Sequence, residues 1–326
     1  MTNGYHAIFG TGPLGLTIMD QLIQEDKKVL LVNRSGKADV PQSVKVIKGD
    51  ATNLDSVLDI CNSYEISVIY HCIGIPYSSW PELFPIMMDN IIEAAAKHQI
   101  KIVYADNVYA YGPHDEPLHE NSSYNTVGKK TKVRAEVAAK LMNAHKSGKV
   151  QATIGRGTDF YGPRVKNSSL GEQVIKSLME GKPANILGNP DKKHSYIFIR
   201  DFANGLIILG EHQEALGEIW HIPAPEPTTT REIVQKIADE LGTTPKYRTA
   251  GKFIVDIAGI FNSGMREFRE IMYQHLNDFI VDSNKFQKQF SFSITPQDEA
   301  IRQTVAWYKT TYNQSNTDRP LANTTK

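Results

Sequence analysis

Apolar positions in the first half of the chain follow two alternating rhythms. Short apolar runs at Tyr5–Phe9, Lys28–Asn33, Val44–Lys48, Ser67–Ile73, Lys101–Asp106 and Gln151–Arg156 read as strands. Between them, Pro13–Glu25, Asn53–Cys61, Leu83–Gln99 and Lys129–His145 have helical length and a 3.6-residue period. Strand and helix in alternation predict an α/β fold built on a doubly wound parallel sheet.

The second half is less regular. Thr229-x-x-Glu232 forms a capping box ahead of Ile233, Ile237 and Leu241, with Gly242 as the stop. Thr295-Pro296 opens another helix carrying Ile301, Val305 and Tyr308 on one face. The polar, aperiodic stretch from Asn313 to Lys326 predicts a frayed tail.

At 326 residues the chain can bury a full core, and its 36 basic and 36 acidic side chains leave no net field. That balance argues against nucleic acid or an anionic membrane as a partner. No apolar run approaches the roughly 20 residues that span a bilayer. The N-terminus shows no signal peptide, so a cytoplasmic setting is expected. Cys61 and Cys72 have neither disulfide nor metal-ligand spacing, and no metal site is expected.

The first strand runs directly into Gly10-Thr11-Gly12-Pro13-Leu14-Gly15. Glycines in this strand–turn–helix setting permit a tight turn, close backbone approach to a pyrophosphate, and contact of helix with strand. The helix adds its positive N-terminal end. A dinucleotide is therefore the expected cofactor, against a purely structural glycine turn.

The second strand ends Asn33-Arg34-Ser35. An NAD-specific site usually offers a carboxylate there to the ribose hydroxyls. Asn33 would not repel a 2′-phosphate, and Arg34 and Ser35 could bind one, which favours NADP(H) over NAD(H). Arg34 could equally stack on adenine or lie in solvent. In Gly49-Asp50-Ala51, Asp50 could take the adenine amino group or cap the helix that follows. His71, at the end of the fourth strand, is assigned no chemistry.

Taken in order, these blocks resemble the extended short-chain dehydrogenase/reductase superfamily, specifically the NAD-dependent epimerase/dehydratase family. Asn90, Asn107-Val108-Tyr109-Ala110-Tyr111-Gly112, Asp159-Phe160-Tyr161-Gly162-Pro163-Arg164 and Tyr196-Ile197-Phe198-Ile199-Arg200-Asp201 fall in family order. The resemblance implies a Rossmann-type dinucleotide-binding domain over 1–160 and a mainly substrate-binding part over 161–312, with some segments returning to the sheet. Residues 313–326 would form the tail. It also implies hydride transfer at a sugar-nucleotide carbon, assisted by a Ser/Thr, Tyr and Lys set, and often a homodimer.

Lys132 matches the family lysine and would reach the nicotinamide ribose. Gly128 stands where the Tyr-x-x-x-Lys tyrosine would be, and Asn107 stands at the serine position. None of the 14 tyrosines is followed by lysine four residues later. Phe9 replaces the first glycine of the usual loop, so the chain resembles an atypical branch of the superfamily.

Replacement groups for proton transfer must reach the substrate and have a tunable pKa. Tyr124, in the loop before the Lys129 helix, and Asp106, at a strand end, are the candidates, with Asn107 able to orient a carbonyl oxygen. Asp106 could equally brace the next turn. Lys129, Lys130, Lys132 and Arg134 read as a solvated helix face, Lys132 excepted. Arg156, Arg164 and Arg200, each near a strand end, are candidates for a substrate phosphate or carboxylate.

Two functional readings follow. One is an NAD(P)(H)-dependent oxidoreductase acting on a small carbonyl, alcohol or sugar-derived substrate; the other is a non-catalytic NADP(H)-binding sensor.

Overall fold

Seven parallel strands form the central sheet of the computed structural model, which describes residues 4–261 and 263–317. They are β1 (Tyr5–Phe9), β2 (Val29–Asn33), β3 (Lys45–Lys48), β4 (Ile66–His71), β5 (Lys101–Asn107), β6 (Gln151–Gly157) and β7 (Ile219–His221). Their order is β7-β6-β5-β4-β1-β2-β3. The chain winds outward from β1 in one direction and from β4 in the other, so the switch point lies between β1 and β4.

Alternation along the strands sorts side chains to the two faces. Ile8, Leu31, Val68, Tyr70 and Val103 point to one face, under α1 (Pro13–Gln24) and a later helix, α5 (Ile199–Glu211). Ala7, Phe9, Leu30, Val32, Ile69, Ile102 and Tyr104 point to the other. There they meet α2 (Leu54–Ser63), α3 (Trp80–His98) and α4 (Lys129–Lys146). Burial on both faces is what a parallel sheet requires.

Element bounds in this half fall within a few residues of those read from the pattern. Helix α3 starts at Trp80 rather than Leu83, because Pro81 suits the first helical turn. The Thr229–Glu232 capping box is present, opening α6 (Thr230–Leu241), and Gly242 closes it with φ of 69°. Past it lie two helices that the pattern did not show, α7 (Lys252–Phe261) and α8 (Ser263–Phe268). The last helix, α9 (Gln297–Thr317), runs beyond Asn313, where the polar composition pointed to a tail. Residues 318–326 of that expected tail lie outside the described residues.

Candidate active site

Loops at the carboxyl ends of β1, β2 and β4 build the glycine cradle. Gly10 has φ of +111°, and a Cβ there would sit 2.6 Å from the Cys72 carbonyl oxygen, so only glycine fits. A Cβ on Gly15 would come within 2.0 Å of the Gly10 oxygen, so this glycine lets α1 pack against the turn. Gly12 differs: a Cβ there would meet nothing within 4 Å. Its backbone faces open space at the N-terminus of α1, where Pro13 begins the helix and Leu14 is buried.

Asn33 ties the cradle to the turn after β2. Its Nδ2 donates to Thr11 Oγ1 at 3.0 Å and to the Lys37 carbonyl, while its Oδ1 accepts from Gly36 N and Ser35 Oγ. Arg34 and Ser35 are exposed on that turn. Asp50 does not cap α2; Asn53 does, accepting from Ser56 N. Asp50 Oδ1 instead accepts from Thr52 N and Oγ1, and these bonds hold its carboxyl below its ordinary pKa, with a smaller contribution from Arg34. The Ala51 carbonyl accepts from Asn90 Nδ2, which anchors this loop to α3.

Behind the cradle, at the ends of β5 and β6, lies a buried ionic cluster. Asp106 Oδ2 accepts from Arg156 Nε at 3.0 Å, and its Oδ1 accepts from Arg134 Nη1 at 3.2 Å. Asp106 and Arg156 are register partners on adjacent strands. Arg156 lies 4.6 Å from the Tyr111 ring centre and donates from Nη2 to Tyr124 Oη at 2.8 Å. Burial works against its charge, but the Asp106 carboxylate outweighs this and its pKa is raised. Arg134 stacks over Trp80 and Phe84, at 4.0 and 4.3 Å from their ring centres.

Around this cluster the neutral groups are locked by burial. His71, packed on Tyr104 with ring centres 5.0 Å apart, has its pKa lowered to about 3, chiefly by desolvation. His221 Nδ1 faces the Asp282 carbonyl at 2.8 Å and must donate to it, so Nε2 accepts from Tyr111 Oη at 2.7 Å. Tyr111 therefore packs and braces. His114 Nε2 is placed between the carbonyls of Tyr111 and Ser123.

The sequence-derived residues divide clearly in space. Asp106 is engaged by two guanidiniums, and its side chain is fully buried. Asn107 commits its Oδ1 to the Tyr109 amide. Tyr124, 39% exposed, is the member of the cluster that reaches solvent. Lys132 is exposed, and helical geometry sets it about 200° round α4 from Arg134, which bonds Asp106.

Arg134, two residues on, takes the inward position. It and Lys130 are 7% and 4% exposed, so the basic run is not a solvated face. Both lie on the helical stripe of Val133, Val137 and Leu141, a signal that was present in the spacing. Arg164 and Arg200 are not brought to the cluster. Arg164 pairs with Asp20 of α1, and Arg200 is exposed at the start of α5, its carbonyl accepting from Gln21.

Sequence reasoning missed Glu270, which follows α8 and has no local marker. Its Oε1 accepts from Lys130 N at 2.6 Å and Thr131 N at 3.2 Å, capping α4 from a distant segment. Lys130 Nζ is bonded to Glu267 at 2.6 Å. Tyr77 and Tyr109, from the loops after β4 and β5, share a hydrogen bond of 3.2 Å beside Lys130.

A parallel sheet with its switch point beside a glycine turn, and an ionic cluster at the neighbouring strand ends, defines a Rossmann-type fold. Residues 10–222 match the model of the NAD dependent epimerase/dehydratase family, and the chain belongs to that family. It is 28% identical over 190 residues to an uncharacterized UDP-glucose epimerase of Bacillus subtilis, covering 54% of this chain and 59% of that protein. It is 21% identical over 251 residues to a UDP-N-acetyl-alpha-D-glucosaminuronate decarboxylase of Bacillus cytotoxicus, covering 70% and 77%. The chain thus spans about three fifths of the length of the Bacillus subtilis relative.

Among solved structures, dTDP-glucose 4,6-dehydratase of Bacillus anthracis in complex with NAD superimposes with a TM-score of 0.79 at 16% identity, covering 95% of this chain and 98% of that one. UDP-glucose 4-epimerase of Thermus thermophilus in complex with NAD gives 0.75 at 17% identity, covering 94% and 99%. These two likenesses establish the shared fold.

Proposed function

We propose that the protein binds a nicotinamide dinucleotide in the Gly10–Gly15 cradle and uses it to oxidise or reduce a carbonyl, alcohol or sugar-derived substrate. The carrying observation is Gly12, whose Cβ direction opens onto 4 Å of free space while Gly10 and Gly15 are closed by backbone. That contrast suits a pyrophosphate lying on the α1 N-terminus. The bound dinucleotide would supply hydride chemistry; the chain supplies position and proton transfer. Relatives named for sugar nucleotides support a sugar-derived substrate.

NADP(H) is favoured over NAD(H). Asn33 brings no charge to the β2 turn, and Arg34, Ser35 and Lys37 stand exposed there. A 2′-phosphate would find a guanidinium, a hydroxyl and an ammonium.

Proton transfer is assigned to Tyr124. Its hydroxyl is backed by Arg156 Nη2, itself fixed by Asp106, and the phenol reaches solvent. A phenol supported by a fixed cation is the same pairing that Tyr and Lys make in Tyr-x-x-x-Lys. Asp106 then acts through Arg156, and Asn107 shapes the turn beside it. Lys132 faces away from this cluster, so Arg156 takes the supporting role.

One observation favours the second reading, a cofactor-binding protein without turnover: both Asp106 oxygens are occupied by guanidiniums. The test is to mix protein, NADP⁺ or NADPH, and a panel of nucleoside-diphosphate sugars and small carbonyls, following nicotinamide absorbance. Turnover abolished by Tyr124→Phe, with cofactor binding kept, supports the enzyme reading. Cofactor binding without turnover across the panel supports the sensor.

A further inference from the structure

Helix α7, Lys252–Phe261, carries its apolar side chains outward. Phe253, Ile254, Ile257, Ile260 and Phe261 are 76%, 53%, 44%, 72% and 87% exposed. At 100° per residue these five fall within a single arc of about 120°. The opposite side is the packed one: Val255 is fully buried, and a Cβ on Gly259 would lie 3.0 Å from the backbone of Arg266 in α8. Exposed apolar side chains elsewhere are scattered, whereas here they are contiguous, which marks an interaction surface.

Cations flank this face. Arg248 is exposed on the short strand Tyr247–Ala250 that leads into α7 and Lys246 is exposed just before it, Lys252 opens the helix, and Arg266 is exposed on α8. Asp256 is the acidic residue of α7 itself, and it is paired with Lys252 and Arg269.

We propose that this face of α7 seats on an anionic lipid surface, with the apolar arc entering the headgroup boundary and the flanking cations meeting lipid phosphates. An outward apolar arc bordered by Lys and Arg is the pattern of a helix lying in the membrane interface. A second copy of the chain fits less well. A ten-residue helix offers a strip only about 15 Å long, whereas a stable interface buries about 800 Å² per partner. A twofold contact would also bring the two sets of cations together. This contact is peripheral: among the described residues no helix is long and apolar enough to cross a membrane. The expectation of no membrane partner rested on overall charge balance and on spanning length, neither of which reports a local face.

The test is co-sedimentation of the full chain with vesicles of phosphatidylcholine alone and of phosphatidylcholine mixed with phosphatidylglycerol. Binding to the mixed vesicles is expected, weakened by salt and reduced at least about tenfold in Ile257→Glu and Phe261→Glu. Both positions are exposed, so the fold should persist, which circular dichroism checks. No binding to either vesicle, or equal binding to both, overturns the proposal. So does a dimer in sedimentation equilibrium without lipid that Ile257→Glu converts to monomer, which would assign the face to a second copy.

Discussion

The carboxylate of Glu270 occupies the space that a side chain on Gly128 would need: a Cβ there would lie 2.3 Å from Glu270 Cδ and 2.5 Å from Oε1. The same carboxylate caps the first amides of α4. Gly128→Tyr, which restores Tyr-x-x-x-Lys in sequence, should therefore displace Glu270 and destabilise the protein by about 1–3 kcal/mol. Glu270→Ala should cost about 1 kcal/mol through the lost cap. Urea denaturation of both variants checks this; a stabilised Gly128→Tyr protein would show that the slot is free.

Asp106 is the carboxylate paired with two buried guanidiniums. Asp106→Ala leaves Arg134 and Arg156 uncompensated, and should destabilise by about 3–5 kcal/mol. A denaturation midpoint within error of wild type would mean that water reaches the cluster.

Two glycines of one loop should behave oppositely. Gly12→Val places its side chain in open space, so unfolding in the absence of ligand should be unchanged while dinucleotide binding falls at least about a hundredfold. Gly15→Val collides with the Gly10 oxygen and should lower stability itself, by about 1–3 kcal/mol. Paired thermal melts and cofactor titrations separate the two effects; equal loss of stability in both variants would refute the distinction.

Four histidines make the fold acid-sensitive. His6 and His275 are lowered from 6.5 to about 4, and His71 and His221 from 6.5 to about 3, in each case mainly by burial. Depressed histidine pKa values mean that the unfolded chain binds more protons. Stability is thus full above pH 6.5 and is lost as pH falls towards 4. With all four contributing, the slope reaches about 5 kcal/mol per pH unit. Asp159, lowered to about 2 where the His194 bond and the charges of His194 and His275 overcome burial, adds a further loss only below 3.8. Urea midpoints across that range test the slope; a flat profile from neutral to acid would contradict it.

The glycine cradle and the alternating sheet were legible because their signals are local. Glycine spacing, caps and apolar period lie within a dozen residues of the structures they produce. The buried ionic cluster was not, because it is assembled across the sheet: Asp106, Arg134, Arg156 and Tyr124 come from four segments, and only strand register places Arg156 beside Asp106. Placing Lys132 by its match to the family lysine, with Gly128 four residues before it, chose an exposed position on α4. The stripe of Val133, Val137 and Leu141 would have selected Arg134. Glu270 left no trace at all, since a capping carboxylate from 140 residues away obeys no local pattern.

Nicotinamide dinucleotide binding at the Gly12 cradle is read out by a thermal-shift titration with NADPH, NADP⁺, NADH and NAD⁺, on wild type and Arg34→Asp. In wild type the NADP pair should stabilise more than the NAD pair, reaching about 2.7 kcal/mol at a hundred times the dissociation constant. Arg34→Asp should remove or reverse that preference. No shift with any of the four would contradict dinucleotide binding, and equal shifts in wild type would contradict the part assigned to Arg34.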